Sequence, residues 1–60
     1  MLIPEHWSDE LKEIARRTAK ALEKAGWGRE ESIGTAVALC KLGHGMTLSE
    51  EDKKYIEKGL

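Results

Sequence analysis

Hydrophobic and polar residues follow a helical period in three segments of this chain. In the first, "SDELKEIARRTAKALEKAGW", apolar residues recur every three or four positions and charged residues fill the positions between them. One stripe therefore contains Leu11, Ile14, Ala15, Thr18, Ala21, Leu22 and Ala25. This pattern predicts an amphipathic helix over residues 9–25.

The residues at the two ends of this segment favour the same boundaries. Ser8 can accept a hydrogen bond from a free backbone N–H group, and the acidic Asp9 and Glu10 suit the positive end of the helix dipole. Gly26 can adopt the left-handed conformation that ends a helix, in a Schellman motif that returns Trp27 to the last turn. We therefore expect a capped helix that ends at Gly26.

The second segment, "REESIGTAVALCKL", predicts a helix over residues 29–42 that ends at Gly43. It carries no charge from Ser32 to Cys40. One apolar stripe contains Ile33, Ala36, Val37 and Cys40, and a second side contains Ala38, Leu39 and Leu42. A helix that is apolar almost all round is normally buried on more than one side, so we expect it to be central. Gly34 would let another backbone approach closely.

The third segment, "TLSEEDKKYIEKGL", predicts a short helix over residues 50–58, capped by Ser49 or Thr47 and ended by Gly59. Isolated helices of under about 12 residues are marginal in water, so this one needs apolar anchors. The candidate anchors are Leu48, Tyr55, Ile56 and Leu60.

The fold class follows from these three segments. No segment alternates in the way that β-strands do, which predicts an all-α protein: one helical domain over residues 1–60, folded as a compact three-helix bundle. A chain of 60 residues buries only about 60% of its unfolded surface, so its stability should be modest without a partner or a second copy. The net charge of -1 is spread along the chain, which leaves no basic arm or acidic tail.

Composition also bears on where the protein is expected to act. No uncharged apolar run approaches the roughly 18 residues that a membrane span requires, and "MLIPEHW" lacks the features of a secretory signal. We therefore expect a cytoplasmic protein with no membrane partner. The single cysteine cannot form an internal disulfide, so packing alone must hold the fold.

The stretch "CKLGHGM" places a histidine four residues after a cysteine. Structural zinc needs four ligands, and one cysteine with two histidines falls short of that number. A cysteine nucleophile activated by His44 is the alternative, but Cys40 lies among apolar neighbours that would keep its thiol protonated. We expect no metal, no cofactor and no catalytic residue; His44 should cap helix carbonyls and Gly45 should permit a turn with positive φ.

Basic residues concentrate in the first helix and at the start of the second. They are Lys12, Arg16, Arg17, Lys20, Lys24 and Arg29. Glu13 and Glu23 interrupt the same surface, and Glu13 is placed to pair with Arg17. We therefore expect nucleic acid not to be a partner, although a small nucleic-acid-binding domain remains the first alternative function.

Two resemblances accompany these patterns. The turn "KAGWGREESIGTAV" resembles the first loop and second helix of ubiquitin-associated domains, which are small three-helix bundles. In that family a glycine followed by an aromatic residue, here Gly26 and Trp27, helps to form the ubiquitin-contacting loop, although "GHGM" departs from the family. The first helix also resembles designed helical proteins in its capping and its Ala, Glu, Lys and Arg content.

The function expected from the sequence is binding of another macromolecule without catalysis. We expect a protein partner and most specifically self-association as a two-fold dimer, because a helix apolar on nearly all sides needs more cover than two short or amphipathic helices supply. A designed scaffold with no native function is the second alternative. The candidate partner-binding residues are Trp7, Trp27, Arg29, Leu39 and Leu42.

Overall fold

The chain folds into three α-helices in a computed structural model that describes residues 3–59. The helices are α1 (Asp9–Lys24), α2 (Arg29–Gly43) and α3 (Glu50–Gly59). No strand occurs within the described range, so the predicted all-α three-helix bundle is confirmed. No helix in that range has the length and apolar character needed to cross a membrane.

Helix α2 lies between the other two helices, as predicted. It packs against both α1 and α3, whereas no described residue of α1 comes within 8 Å of α3 between Cα atoms. Its buried residues are Ser32, Gly34, Thr35, Ala36, Val37, Ala38 and Cys40. The radius of gyration, 10.4 Å, is close to the value of about 10 Å expected for a folded chain of this length, so α3 is docked.

The segment before α1 supplies part of the core. Trp7 is only 6% exposed and belongs to a buried cluster with Ala15, Val37 and Cys40. The N–H of Trp7 donates to the carbonyl of Pro4 at 3.3 Å, which folds the segment back on itself. Three partly buried hydrophobic residues pack around the cluster: Ile3, Leu11 and Ile33. This segment therefore adds to the core that α1 and α2 form together.

The ends of α1 match the prediction. The hydroxyl of Ser8 accepts a hydrogen bond from the N–H of Leu11 at 3.2 Å. At the other end Gly26 has a φ of 102°, and the N–H of Trp27 donates to the carbonyl of Leu22 at 3.1 Å, which is the long bond of a Schellman motif.

The end of α2 corrects the prediction. Gly43 is the last helical residue, and the positive φ of 68° occurs two residues later at Gly45. The Schellman bond runs from the N–H of Met46 to the carbonyl of Lys41 at 2.8 Å. The helix therefore extends one residue beyond the predicted 42, and the left-handed conformation that ends it lies at Gly45 rather than at Gly43. His44 occupies the C-cap position, and its Nδ1 lies 2.9 Å from the carbonyl of Cys40, as expected for a capping side chain.

Helix α3 begins with a reciprocal cap. The hydroxyl of Ser49 accepts from the N–H of Asp52 at 3.2 Å, and the Asp52 carboxylate accepts from the N–H of Ser49 at 3.0 Å. Ser49 is therefore the cap and the alternative, Thr47, is not. Tyr55 lies directly over Gly34 of α2, so the close approach expected at that glycine is made by a ring rather than by a backbone. Leu48 and Ile56 are partly buried as well, and Leu60 lies outside the described residues.

Candidate functional site

Cys40 and His44 do not form a reactive pair in this geometry. Cys40 is buried, and burial raises the pKa of its thiol, which keeps it protonated. The Cys40 carbonyl can only accept a hydrogen bond, so the Nδ1 of His44 donates to it and the imidazole is bound to backbone. Within residues 3–59, no three His, Cys, Asp or Glu side chains come together in a way that could hold a metal ion.

A buried ion pair joins the end of α2 to the start of α3. Lys41 Nζ donates to Asp52 Oδ2 at 2.7 Å, and the Asp52 side chain is 1% exposed. Burial raises the pKa of the Asp52 carboxyl, but hydrogen bonds from Lys41 and Ser49 lower it by more, so the pKa lies below its ordinary value. Because the Ser49 N–H and the Lys41 ammonium already donate to the Asp52 carboxylate, this side chain serves to hold α3 against α2.

The pairing of Lys41 with Asp52 was not predicted from the sequence. The local signal was the S-x-x-D spacing of Ser49 and Asp52, which is a variant of the capping box. Nothing local indicated Lys41, because it lies eleven residues before Asp52 and on another helix. Only the packing of α3 against α2 brings the two charges together.

Helices α1 and α2 form an antiparallel hairpin, because a turn of only four residues, 25–28, joins two helices that pack on each other. Successive residues of a helix are rotated by about 100°, so Lys12, Arg16 and Lys20 share one side of α1. Ile14 and Ala21 lie on the nearly opposite side. The hairpin therefore presents two different faces on its α1 half.

The α2 half of the hairpin divides in the same way. Ile33 and Val37 belong to the stripe that meets the N-terminal segment, whereas Leu42 lies on the nearly opposite side. Ile33 also lines an open groove together with Lys12, Arg16 and Lys20, which we call the basic row, so this side of α2 and the basic side of α1 lie on the same face of the hairpin. The apolar side of α1 and the Leu42 side of α2 consequently lie together on the other face of the hairpin.

We call this second surface the uncharged face. Its residues are Ile14, Thr18, Ala21, Leu39 and Leu42. Leu42 is 57% exposed and Ile14 is 41% exposed, which makes them the two most exposed large hydrophobic side chains of the described chain. Ile14 precedes the hairpin turn by the same number of residues as Leu39 follows it, so the two lie at the same level along the hairpin. The apolar exposure is therefore concentrated away from the turn.

The predicted partner-binding residues fall in three different places. Trp7 is in the core and contributes almost nothing to the surface. Trp27 is partly buried within the hairpin turn, and Arg29 is exposed and lines the groove with the basic row. Leu39 and Leu42 both belong to the uncharged face. The structure thus brings only the two leucines together.

Helix α1 contributes to this surface in a way that its sequence pattern did not predict. Ile14 and Ala21 were placed on the apolar stripe that should face the core, but both are exposed. The stripe of α1 is wider than its contact with α2, and only Ala15 and Ala19 in this helix are buried. The width of the stripe was the available signal, since a helix with one neighbour cannot bury so broad an arc.

Comparison with known proteins identifies no relative. No protein-family model matches the chain, no curated protein matches it, and no solved structure matches it. The resemblances to ubiquitin-associated domains and to designed helical proteins accordingly gain no support from these comparisons.

Proposed function

We propose that this protein is a non-catalytic protein-binding module that docks through its uncharged face, and that its partner is a second copy of the chain. The observation that carries the proposal is the exposure of Leu42 beside Leu39. Leu39 lies at the level of Ile14 on the neighbouring helix, and no charged residue lies between these apolar side chains. Two such hairpins related by a two-fold axis would pack as a four-helix bundle, which buries the same apolar positions in both copies.

The apolar character of α2, from which the sequence predicts a dimer, does not by itself require a second copy. The sequence indicated that one chain was too short to cover its apolar second helix. The structure shows that α2 is covered along most of its length within one chain, because the segment with Trp7 packs on it in addition to α1 and α3. Self-association is now inferred from the residues that stay exposed after this packing, chiefly Leu42.

The size of the face sets the strength of the expected dimer. A helix of 16 residues is about 24 Å long, and two helices side by side span about 20 Å, so the face offers about 480 Å² per copy. This is about a ninth of the total accessible surface of 4292 Å². The combined area of about 960 Å² is below the roughly 1,200 Å² of stable complexes, which predicts a weak, concentration-dependent dimer.

Sedimentation equilibrium over a wide range of protein concentration tests the proposal. The wild-type protein should shift from monomer towards dimer as concentration rises, and Leu42→Glu should abolish the shift, because the interface would bury an unpaired carboxylate. Thr47→Glu is the matched control: it adds the same charge at an exposed loop residue outside the face and should leave association unchanged. A wild-type protein that stays monomeric at every concentration would contradict the proposal, as would equal effects of the two variants.

A further inference from the structure

The other face of the hairpin carries an open groove with a different chemistry. It runs along α1 beside the N-terminal segment and the start of α2, and we call it the basic groove. Five basic side chains line it: Lys12, Arg16, Arg17, Lys20 and Arg29. Three acidic side chains line it as well: Glu5, Glu13 and Glu23. The groove is therefore positive by two charges in a protein whose net charge is -1.

Most of this positive charge is available to a ligand. Glu13 pairs with Arg16 at 3.8 Å and with Arg17 at 3.4 Å, and all three side chains are more than half exposed, so these contacts are weak. Among the described residues, no ion pair joins Lys12, Lys20 or Arg29 to a carboxylate. A ligand carboxylate can therefore approach these cations without first breaking an internal salt bridge.

The groove also has an apolar floor. Ala19 is buried along α1, and Ile3 and Ile33 are partly buried beside it. Ala19 is only 7% exposed, so the two isoleucines offer most of the apolar contact. This combination suits an amphipathic helix, whose apolar side chains would contact the floor while its charged flank meets the wall of the groove.

The spacing of the basic row fits a helical partner in particular. Lys12, Arg16 and Lys20 follow one another at intervals of four residues, which is about 6 Å of rise along α1. Glutamates at the same interval on an antiparallel or parallel partner helix would meet these cations one by one, as charged flanking positions do between paired helices. Nucleic acid fits less well, because its closely spaced phosphates could not all avoid Glu5, Glu13 and Glu23.

We propose that the basic groove binds an acidic amphipathic helical peptide, with the basic row contacting its carboxylates and Ile3, Ala19 and Ile33 contacting its apolar side. This surface lies on the opposite face of the hairpin from Leu42, so its occupation is independent of the dimer proposed above. The module would then have two contact surfaces: one for its own copy and one for a segment of another protein.

Fluorescence anisotropy with a labelled helical probe tests the proposal. The probe carries Glu at every fourth position and leucines on the adjoining side; a second probe has Lys in place of Glu, and a third is a thymidine oligonucleotide of similar length. The acidic probe should bind most tightly, and its affinity should fall severalfold between about 50 mM and about 200 mM salt, since the contacts are between charges. Equal binding of the acidic and basic probes would overturn the proposal, and tighter binding of the oligonucleotide would make the groove a nucleic-acid site instead.

Variants locate the binding on the groove. A triple variant with Lys12→Gln, Arg16→Gln and Lys20→Gln should bind the acidic probe at least about tenfold more weakly than the wild-type protein. The matched control removes three lysines from α3, as Lys53→Gln, Lys54→Gln and Lys58→Gln, and should change affinity by less than about twofold. Glutamine is compatible with a helix, and circular dichroism verifies that both variants stay folded. An equal loss in the two variants would show attraction to overall charge and contradict a groove.

The dimer variant separates the two proposals. Leu42→Glu should bind the acidic probe with at least about half the wild-type affinity, because a single charge on the opposite face is screened at physiological salt. Probe binding in this variant supports the groove whatever the oligomeric state turns out to be. Loss of probe binding with Leu42→Glu would overturn the groove as an independent surface.

Discussion

Gly34 tests the packing of α3 on α2 more sharply than any other position. An added Cβ at this glycine would lie 2.5 Å from Tyr55 Cζ and 2.6 Å from each Cε atom of the same ring. Carbon atoms pack at about 3.5–4.0 Å, so Gly34→Ala forces the ring to move by about 1 Å or more. Because Tyr55 is partly buried and anchors α3, the movement loosens the contact between the two helices.

The net cost of Gly34→Ala is the difference between two effects. Alanine in a helix interior is more favourable than glycine by about 0.5–1 kcal/mol. Overpacking a close contact typically costs about 1–3 kcal/mol. We therefore expect Gly34→Ala to lower the free energy of unfolding by about 1–2 kcal/mol. Gly43→Ala is the matched control in the same helix, since no atom lies within 4 Å of its added Cβ, and it should be neutral or stabilising by up to about 1 kcal/mol.

Urea unfolding followed by circular dichroism measures both variants, and a double variant identifies the cause. If the Tyr55 ring is the obstacle, Gly34→Ala should cost nothing further in a Tyr55→Ala background, where the helix preference of alanine is all that remains. A Gly34→Ala protein as stable as Gly43→Ala would refute the reasoning. So would an unchanged cost of Gly34→Ala after removal of the ring.

Three other experiments test individual turns, contacts and buried residues of the fold. Gly45→Ala should destabilise the protein by about 1–2 kcal/mol in urea unfolding, because its φ of 68° is left-handed, and a cost no larger than that of Gly43→Ala would show that the turn is misplaced. Asp52→Asn should cost about 1–3 kcal/mol, since Lys41 loses its partner. Because the pKa of Asp52 is lowered, its stabilising contribution is present above the ordinary value of 3.8 and is lost as pH falls through the lower pKa of the folded state. Below pH 3.8 the free energy of unfolding should therefore fall less steeply with pH in Asp52→Asn than in the wild-type protein. Cys40 should react with a thiol reagent slowly in the folded protein and quickly in denaturant, because it is buried; rapid labelling without denaturant would contradict its place in the core.

Local signals were sufficient to predict the helices. Ser8 and Ser49 precede acidic residues, and Gly26 follows the last periodic residue, so each boundary depended on side chains within a few positions of it. The centrality of α2 was also predictable, because its uncharged run from Ser32 to Cys40 could be covered only by packing on several sides.

Features that depend on packing between distant segments could not be predicted. Trp7 lies outside every periodic pattern, yet it enters the core because the N-terminal segment folds back against α2. Lys41 and Asp52 meet only through the docking of α3. Gly45 has the positive φ expected from the sequence, whereas Gly43 does not have one, because α2 continues through it.

The candidate surface was predictable in part. Leu39 and Leu42 were identified because they lie on the side of α2 away from its main stripe. Ile14 was assigned to the core, since the apolar stripe of α1 gives no indication of how much of its width α2 will cover. Arg29 was grouped with the basic residues of α1 from the sequence, and the groove contains all of that set except Lys24.

A concentration series of backbone amide NMR spectra tests the central claim most directly, because it reports association and location together. As the protein concentration rises, amide shifts should change at Ile14, Ala21, Leu39 and Leu42. They should stay constant along the basic row at Lys12 and on α3 at Lys54. Shifts confined to the basic row, or spectra that are identical at every concentration, would contradict docking of a second copy on the uncharged face.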